Sequence, residues 1–346
     1  MPTEMTPRER WLAVLNRQPF DRFPLDYRAT PEVTRDLIAY LGADGWPEVR
    51  DRLHIDPVLG VGGRYVGPEF GPMTDPFGIG YEMMDYGTGV YREAVSFPLA
   101  EYNSVEEIER NYHWPEHDWW TYDHIAAQLE GHEEWVIQGG HYEEFATYKW
   151  LRGVEQGYAD HVEHPEIVHY VMGKLADIAY ARSERIFDAA GGRVIWTWVA
   201  DDFGTQEALV MSPAMIREFH YPHIKRLCKL AHDYGVFAFH HSDGAVSANV
   251  PQMIEAGVDV LDPVQWRCKG LKREFGDRIS FHGAMDNQQT VPFGTVEDVR
   301  QEVRDNFGIL GEGGGYILGP CHNIQPITPM ENIVAIYETG YEEGWQ

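Results

Sequence analysis

The stretch "GVFAFHHSDG", residues 235–244, decides how the chain is read. Four apolar residues run straight into two histidines, a serine, an aspartate and a glycine. Alternate side chains of a strand point to opposite faces, so Phe237, Phe239, His241 and Asp243 share one face and His240 and Ser242 the other. An apolar strand with a polar tip is what a buried parallel sheet presents where it meets a ligand. Four more runs have the same form: "RVIWTWVADD" (193–202), "VDVLDPVQW" (258–266), "RISFHGAMDN" (278–287) and "GYILGPCHN" (315–323).

Helical stretches lie between them. "SPAMIREFHYPHIKRLCKLAHDYG" (212–235) opens on a Ser N-cap followed by Pro and closes on Gly235. "AVSANVPQMIEAG", "TVEDVRQEVRDNFGILG" and "PMENIVAIYETGYEEG" follow the later strands. Strand–helix alternation with apolar strands predicts a parallel sheet. Upstream, "RFPLDYRA" (22–29) and "EWVIQGGHYEE" (134–144) read as further strands of the same kind. The N-terminal "MPTEMTPRERWLAVLNRQ" reads as an amphipathic helix, and residues 60–120, rich in Gly, Pro and aromatics, as an insertion or long loops.

Polar residues recur at the strand tips. A (β/α)8 (TIM) barrel builds its active site from the C-terminal ends of its strands. An open doubly wound sheet would carry a glycine-rich phosphate turn after its first strand. "GVGGRYVG" (60–67) has neither that spacing nor a following helix. The expectation is therefore one (β/α)8 barrel domain over residues 1–346, with an N-terminal helical extension and an aromatic, Gly-rich insertion near the barrel mouth.

With 55 acidic against 28 basic residues the formal charge is −27, which disfavours nucleic acid. No apolar run is long enough to span a membrane and no secretory signal stands out, so a cytoplasmic protein is expected. Cys228, Cys268 and Cys321 form no disulfide framework.

The candidate chemistry follows from the tips. His241 and Asp243 suit either metal ligation or a His–carboxylate acid/base pair. His322 is a third donor, with the adjacent Cys321 as the alternative. Two histidines and one carboxylate leave open positions on a metal, as catalytic zinc or non-haem iron requires. Asp201 and Asp202 pair carboxylates at one tip, where one could transfer a proton or support a metal-bound histidine. Glu143 and Glu144 stand at another. We take Asp202, Glu143 and Asp201 as catalytic candidates and Gln206, Gln265, Asp286, Gln325 and Tyr142 as substrate-binding ones.

The segments "MTPRERWLAVLNRQPFDRFPLDYRATPE", "DDFGTQ", "HSDG", "GVDVLDPVQ", "KREFGDRISFHGAMDNQ", "GGYILGPCHNIQP" and "TPMENIVAIYE", in this order, resemble the uroporphyrinogen decarboxylase-like superfamily. The resemblance implies a (β/α)8 barrel. True decarboxylases of that superfamily carry an Arg-Gln-Ala-Gly-Arg carboxylate clamp; here the region reads "PLDYRATPE", with only Arg28. The other branch, cobalamin-dependent methyltransferases, implies a zinc site of His-x-Cys and a later Cys. Those positions fall on His241, Asp243 and His322, so the set is harder than the family's and suits an oxygen leaving group. The implied function is demethylation of a small, conceivably aryl, methyl ether. The methyl would pass to cob(I)alamin on a separate corrinoid protein, with Zn2+ polarising the oxygen and homodimerisation an open option. The alternatives are a metal-free lyase acting on a small carboxylate and a non-catalytic binding member.

Overall fold

The computed structural model describes residues 4–85, 87, 89–262 and 270–346. In chain order its strands are β1 (Val58–Val61), β2 (Arg64–Tyr65), β3 (Gly80–Asp85), β4 (Val90–Ser96), β5 (Trp120–Thr121), β6 (Val136–Gly139), β7 (Trp196–Trp198), β8 (Phe237–His241), β9 (Val260–Asp262), β10 (Ser280–Met285) and β11 (Tyr316–Pro320). Seven of them form one sheet in the order β1-β6-β7-β8-β9-β10-β11, every pair parallel. The helices Pro165–Ala190, Tyr221–Asp233, Val250–Ala256, Leu271–Phe275 and Val296–Leu310 lie between successive strands from β6 to β11. This is the curled α/β sheet of a TIM-barrel-like fold.

The segment "RFPLDY" closes the curl. The Asp26 N–H donates to Leu318 O of β11, the Leu318 N–H donates to Pro24 O, and on the other side the Asp56 N–H donates to Leu25 O. Leu25 thus makes a single parallel bridge to Leu318 in place of a full strand. Pro24 removes one donor from this segment, which is consistent with a bridge that goes no further.

Strand parity sorts the core into two layers. Ala238, Leu261, Phe281, Tyr316 and Leu318 face the helices, while Val136, Trp196, Phe239, Val260 and Ile317 face the inside of the curl. The inner cluster is completed by Trp11, Val14 and Leu15 of the N-terminal helix Pro7–Leu15. That helix starts on a Thr6–Glu9 capping box with Pro at its first position. Trp11 stacks 6.5 Å from Trp196 and 6.4 Å from Phe239, so the helix plugs the end of the barrel opposite the strand tips. Beneath it, Asp56 is buried and receives Arg10 at 2.7 Å, Arg22 at 3.0 Å and the Trp11 indole N–H at 3.2 Å.

Between β1 and β6 the chain builds two small antiparallel pairs, β2 with β5 and β3 with β4. The β3–β4 hairpin exposes Met83, Met84, Val90, Tyr91 and Val95. It reaches the barrel's C-terminal end, where the Gln325 Nε2–H donates to the Tyr91 hydroxyl at 2.8 Å.

Candidate functional site

His241 is the last residue of β8 and lies on its inner face, as parity requires, edge-on to Trp198 at 5.5 Å. His240 turns the other way. It is buried against Phe203 and donates from Nδ1 to Val199 O at 2.6 Å. His241 donates from Nδ1 to Asp262 Oδ2 at 2.8 Å, which leaves Nε2 facing the mouth. Nε2 lies 3.8 Å from Asp202 Oδ1 and 4.0 Å from Asp243 Oδ2.

Two loops bring those carboxylates together. After β7 and after β8 the chain runs so close that a Cβ on Gly204 would sit 2.3 Å from Asp243 O, and one on Gly244 2.3 Å from Thr205 O. Gly244 also has φ +85, open to glycine and strained for other residues. Three bonds tie the loops: the Asp243 N–H to Asp202 Oδ1 at 2.8 Å, the Phe203 N–H to Ser242 Oγ at 2.9 Å, and the Ala245 N–H to Thr205 O at 2.7 Å.

One ligand atom from each of Asp202, His241 and Asp243 lies within 4.8 Å of the others. Around a tetrahedral zinc, donors about 2.0–2.2 Å from the ion stand about 3.4 Å apart, so small side-chain adjustments bring these three onto one cation. The second observation in favour of a metal is His241's other nitrogen. Metal-bound histidines characteristically donate that N–H to a carboxylate, and Asp262 is placed to receive it. The residues present fit a divalent ion.

Asp262, fully buried, is the hub of the site. It takes two bonds from Arg28, at 2.6 and 3.1 Å, besides those from His241 and His282 Nδ1. His282 Nε2 donates to Asp26 Oδ2 at 2.9 Å. Donating from both nitrogens makes His282 an imidazolium. Burial opposes that charge, but Asp262 and Asp26 hold its pKa above the ordinary value. Burial likewise opposes ionisation of Asp262, yet Arg28, His282 and His241 hold its carboxyl well below the usual range. Two cations (Arg28, His282) thus balance two anions (Asp26, Asp262). Burial lowers the pKa of His241, but Asp262, Asp243 and Asp202 outweigh it and hold that pKa up to about 9.

The other sequence candidates divide. Asp201 turns away from the mouth and accepts from the Phe145 and Ala146 N–H groups, capping the helix Glu144–Arg152. Tyr142 is in the hydrophobic core and Glu144 is buried nearby. Glu143 stays at the rim, its Oε2 3.2 Å from His141 Nε2. Gln206, Asp243, Asp286, Cys321, His322 and Gln325 line one cavity of about 280 Å3 with Asn287, Gln288 and Asn323. Cys321 and His322 both reach it because β11 ends at Pro320 and the chain turns there. His322 therefore stands on the cavity wall, while Asp202 stands with His241 and Asp243. Gln265 lies outside the described residues.

Asp262, His282, Asp26 and Arg28 are the members of the site that strand-tip reading passes over or leaves without a role. The signal was a charged or imidazole side chain on the inward parity of an apolar run, in "VDVLD" and "SFHGAM". Among the described residues, none of residues 60–120 lines this cavity directly, although Tyr91 bonds to its wall residue Gln325. Trp119 and Trp120 pack on Tyr65, and Trp119 also on Phe70.

The family profile described as Uroporphyrinogen decarboxylase (URO-D) matches residues 146–342, more than half of the chain and all of the strands from β7 to β11. The chain belongs to the URO-D family. Among curated members of that family it is 24% identical over 208 residues to the uroporphyrinogen decarboxylase of Pseudomonas putida (strain GB-1), covering 57% of this chain and 52% of that protein. It is 24% identical over 185 residues to that of Anaeromyxobacter sp. (strain Fw109-5), covering 53% and 50%. This family member spans about half the length of the curated relatives it matches. Among solved structures it superposes on a methyltransferase from Methanosarcina mazei with a TM-score of 0.68 at 20% identity, covering 98% of this chain and 99% of that one. The likeness establishes the shared barrel fold.

Proposed function

We propose that this URO-D family member is the methyltransferase component of a corrinoid-dependent demethylation system, moving a methyl group from a small methyl ether to cob(I)alamin on a separate protein. The observation that carries the reading is the Asp202–His241–Asp243 cluster at the mouth, with His241 anchored from behind by Asp262. A zinc ion held there supplies an electrophile for the ether oxygen as the carbon–oxygen bond breaks. The chain's own residues do the rest. Asp262 fixes the His241 ring with Nε2 outward, the Gly204–Gly244 contact holds the two aspartates in register, and the cavity beside Asp243 seats the substrate. The methyltransferase name of the M. mazei protein that shares the fold supports the same reading.

A lyase acting on a small carboxylate is less well served. Its substrate carboxylate would meet Asp202 and Asp243 at the mouth beside His241, and the guanidinium of Arg28 is already engaged bidentately by Asp262, with Asp26 3.7 Å from its Nε.

Metal analysis of the purified chain tests the proposal. We expect stoichiometric zinc, reduced at least tenfold in His241→Ala and in Asp202→Ala, and methyl transfer from a methyl ether to added cob(I)alamin. A wild-type chain that takes up no metal would sink it.

A further inference from the structure

The chain carries 55 acidic residues against 28 basic ones, yet cations gather at the end of the barrel opposite the strand tips. Arg17, Lys272 and Arg273 stand on one cavity of about 810 Å3, with Asp277 and Glu312 as its acidic members. Arg17 follows the plug helix Pro7–Leu15, and Lys272 and Arg273 lie on the helix Leu271–Phe275, which leads into β10. Asp277 Oδ1 lies 3.7 Å from Arg278 Nε, and none of the three cations makes an ion pair among the described residues.

The geometry brings two of them together. Arg17 donates from Nη2 to Gly276 O at 3.0 Å, and Lys272 from Nζ to Gly314 O at 2.5 Å. A Cβ on Gly315 would lie 3.6 Å from Arg17 Nη2, so both side chains end at one loop. One carbonyl each leaves most of their N–H donors for another acceptor. Both cations are also kept where something resists them. Arg17 has φ +53, just past the end of the plug helix, where the Arg17 and Gln18 N–H groups return to Val14 O and Ala13 O. Glycine is the usual residue in that left-handed turn, and an arginine there is strained. Lys272 is half-buried, and burial together with the charge of Arg17 brings its pKa down to about 8, with Glu312 opposing. An anion between the two side chains relieves their repulsion.

We propose that Arg17, Lys272 and Arg273 form a binding site for a phosphate group, free or at the head of a small phosphomonoester, which fastens the plug helix to the turns that open β10 and β11. A tetrahedral dianion accepts hydrogen bonds from several sides at once, as three separate cations require, whereas one arginine can satisfy a flat carboxylate. A long polyanion is disfavoured by the formal charge of −27 on the rest of the chain. The site lies at the other end of the barrel from His241 and stands independently of the methyl-transfer reading.

Isothermal titration of the full chain with inorganic phosphate, glycerol 3-phosphate and acetate, at an ionic strength held constant with sodium chloride, tests it. We expect one phosphate-bearing probe to bind with a stoichiometry of one, at least tenfold more tightly than acetate. At saturation it should raise the melting temperature by about 2 °C or more over chloride alone. Tighter binding of inorganic phosphate assigns the free ion, and tighter binding of glycerol 3-phosphate a phosphomonoester. Arg17→Gly removes a cation and relaxes the turn, and Lys272→Gln keeps a donor for Gly314 O. Each should weaken binding at least tenfold, while Arg35→Gln, on the exposed face of the helix Pro31–Leu41, should leave it unchanged. If Arg17→Gly does not fold, Lys272→Gln decides. No saturable binding, equal binding of acetate, survival of binding in both variants, or an equal loss in Arg35→Gln overturns the site.

Discussion

Asp262 carries more of the site than any other single side chain, and it does so without facing solvent. Its two oxygens are shared among Arg28, His241 and His282, so the histidine's orientation is fixed by a group that is itself fixed. Outer carboxylates of this kind change metal affinity by about 10–100-fold when removed. We therefore expect Asp262→Asn to weaken zinc binding by that factor, measured by competition with a chromogenic chelator, with Asp262→Glu recovering part of it. An unchanged affinity would show that Asp262 serves only the fold. The sequence is uneven at this scale. Parity alone places His241 inward and His240 behind it, and applied to "WTWVADD" the same rule puts Asp202 inward and Asp201 outward, where it caps a helix. It gives no partners, however. That Asp262 meets Arg28, 234 positions away, follows from barrel closure and from nothing local.

The loops after β7 and β8 act as one element. "DDFGTQ" and "HSDG" each hold a glycine because the two backbones touch, and the touch is what brings Asp202 to Asp243. Gly244→Ala forces a Cβ onto Thr205 O at a φ that alanine resists. The expected result is zinc binding lowered at least tenfold while the melting temperature falls only a few degrees, read by metal analysis and calorimetry on the same preparation. Loss of both together would mean the loops are part of the general core. The apolar strands from β7 to β11 were legible because they are buried on both faces and bounded by turn residues. The hairpin β3–β4 was not. Six of the seven residues of β4 are exposed or nearly so, leaving no apolar alternation to read. The closing segment 22–29 was legible as a strand, although it makes isolated bridges, Arg22 to Trp345, Leu25 to Leu318 and Ala29 to Ile324, in place of a continuous ladder.

For the molecule as a whole, acid is the natural challenge. His161 and His220 are buried together, Nε2 to Nε2 at 3.0 Å, among Phe145, Tyr148, Phe203 and Phe219. His161 donates from Nδ1 to Gly157 O. Burial lowers both pKa values below the ordinary 6.5; at His220 the neighbouring His161 adds to this, followed by His223 and Lys149, while at His161 the bond to Gly157 O and the charge of Asp160 oppose it. The sign follows from linkage: below about 6.5 the unfolded chain takes up protons that the folded pair resists, so stability is full above that pH and drains away beneath it. We expect the unfolding free energy to be lower at pH 5 than at pH 7.5 through this pair. The double variant His161→Phe/His220→Phe should show a correspondingly flatter profile in urea titrations at the two pH values. The N-terminal plug has a consequence of another kind. Trp11 needs Trp196 and Phe239 to cover it, and Leu25 needs Leu318. During synthesis at about 5–20 residues per second, roughly 15–60 s separate the emergence of residue 25 from that of its partner. Trp11 is covered earlier, once Trp196 and Phe239 have emerged, but the ring shuts only when β11 leaves the ribosome. The beginning of this chain is finished by its end.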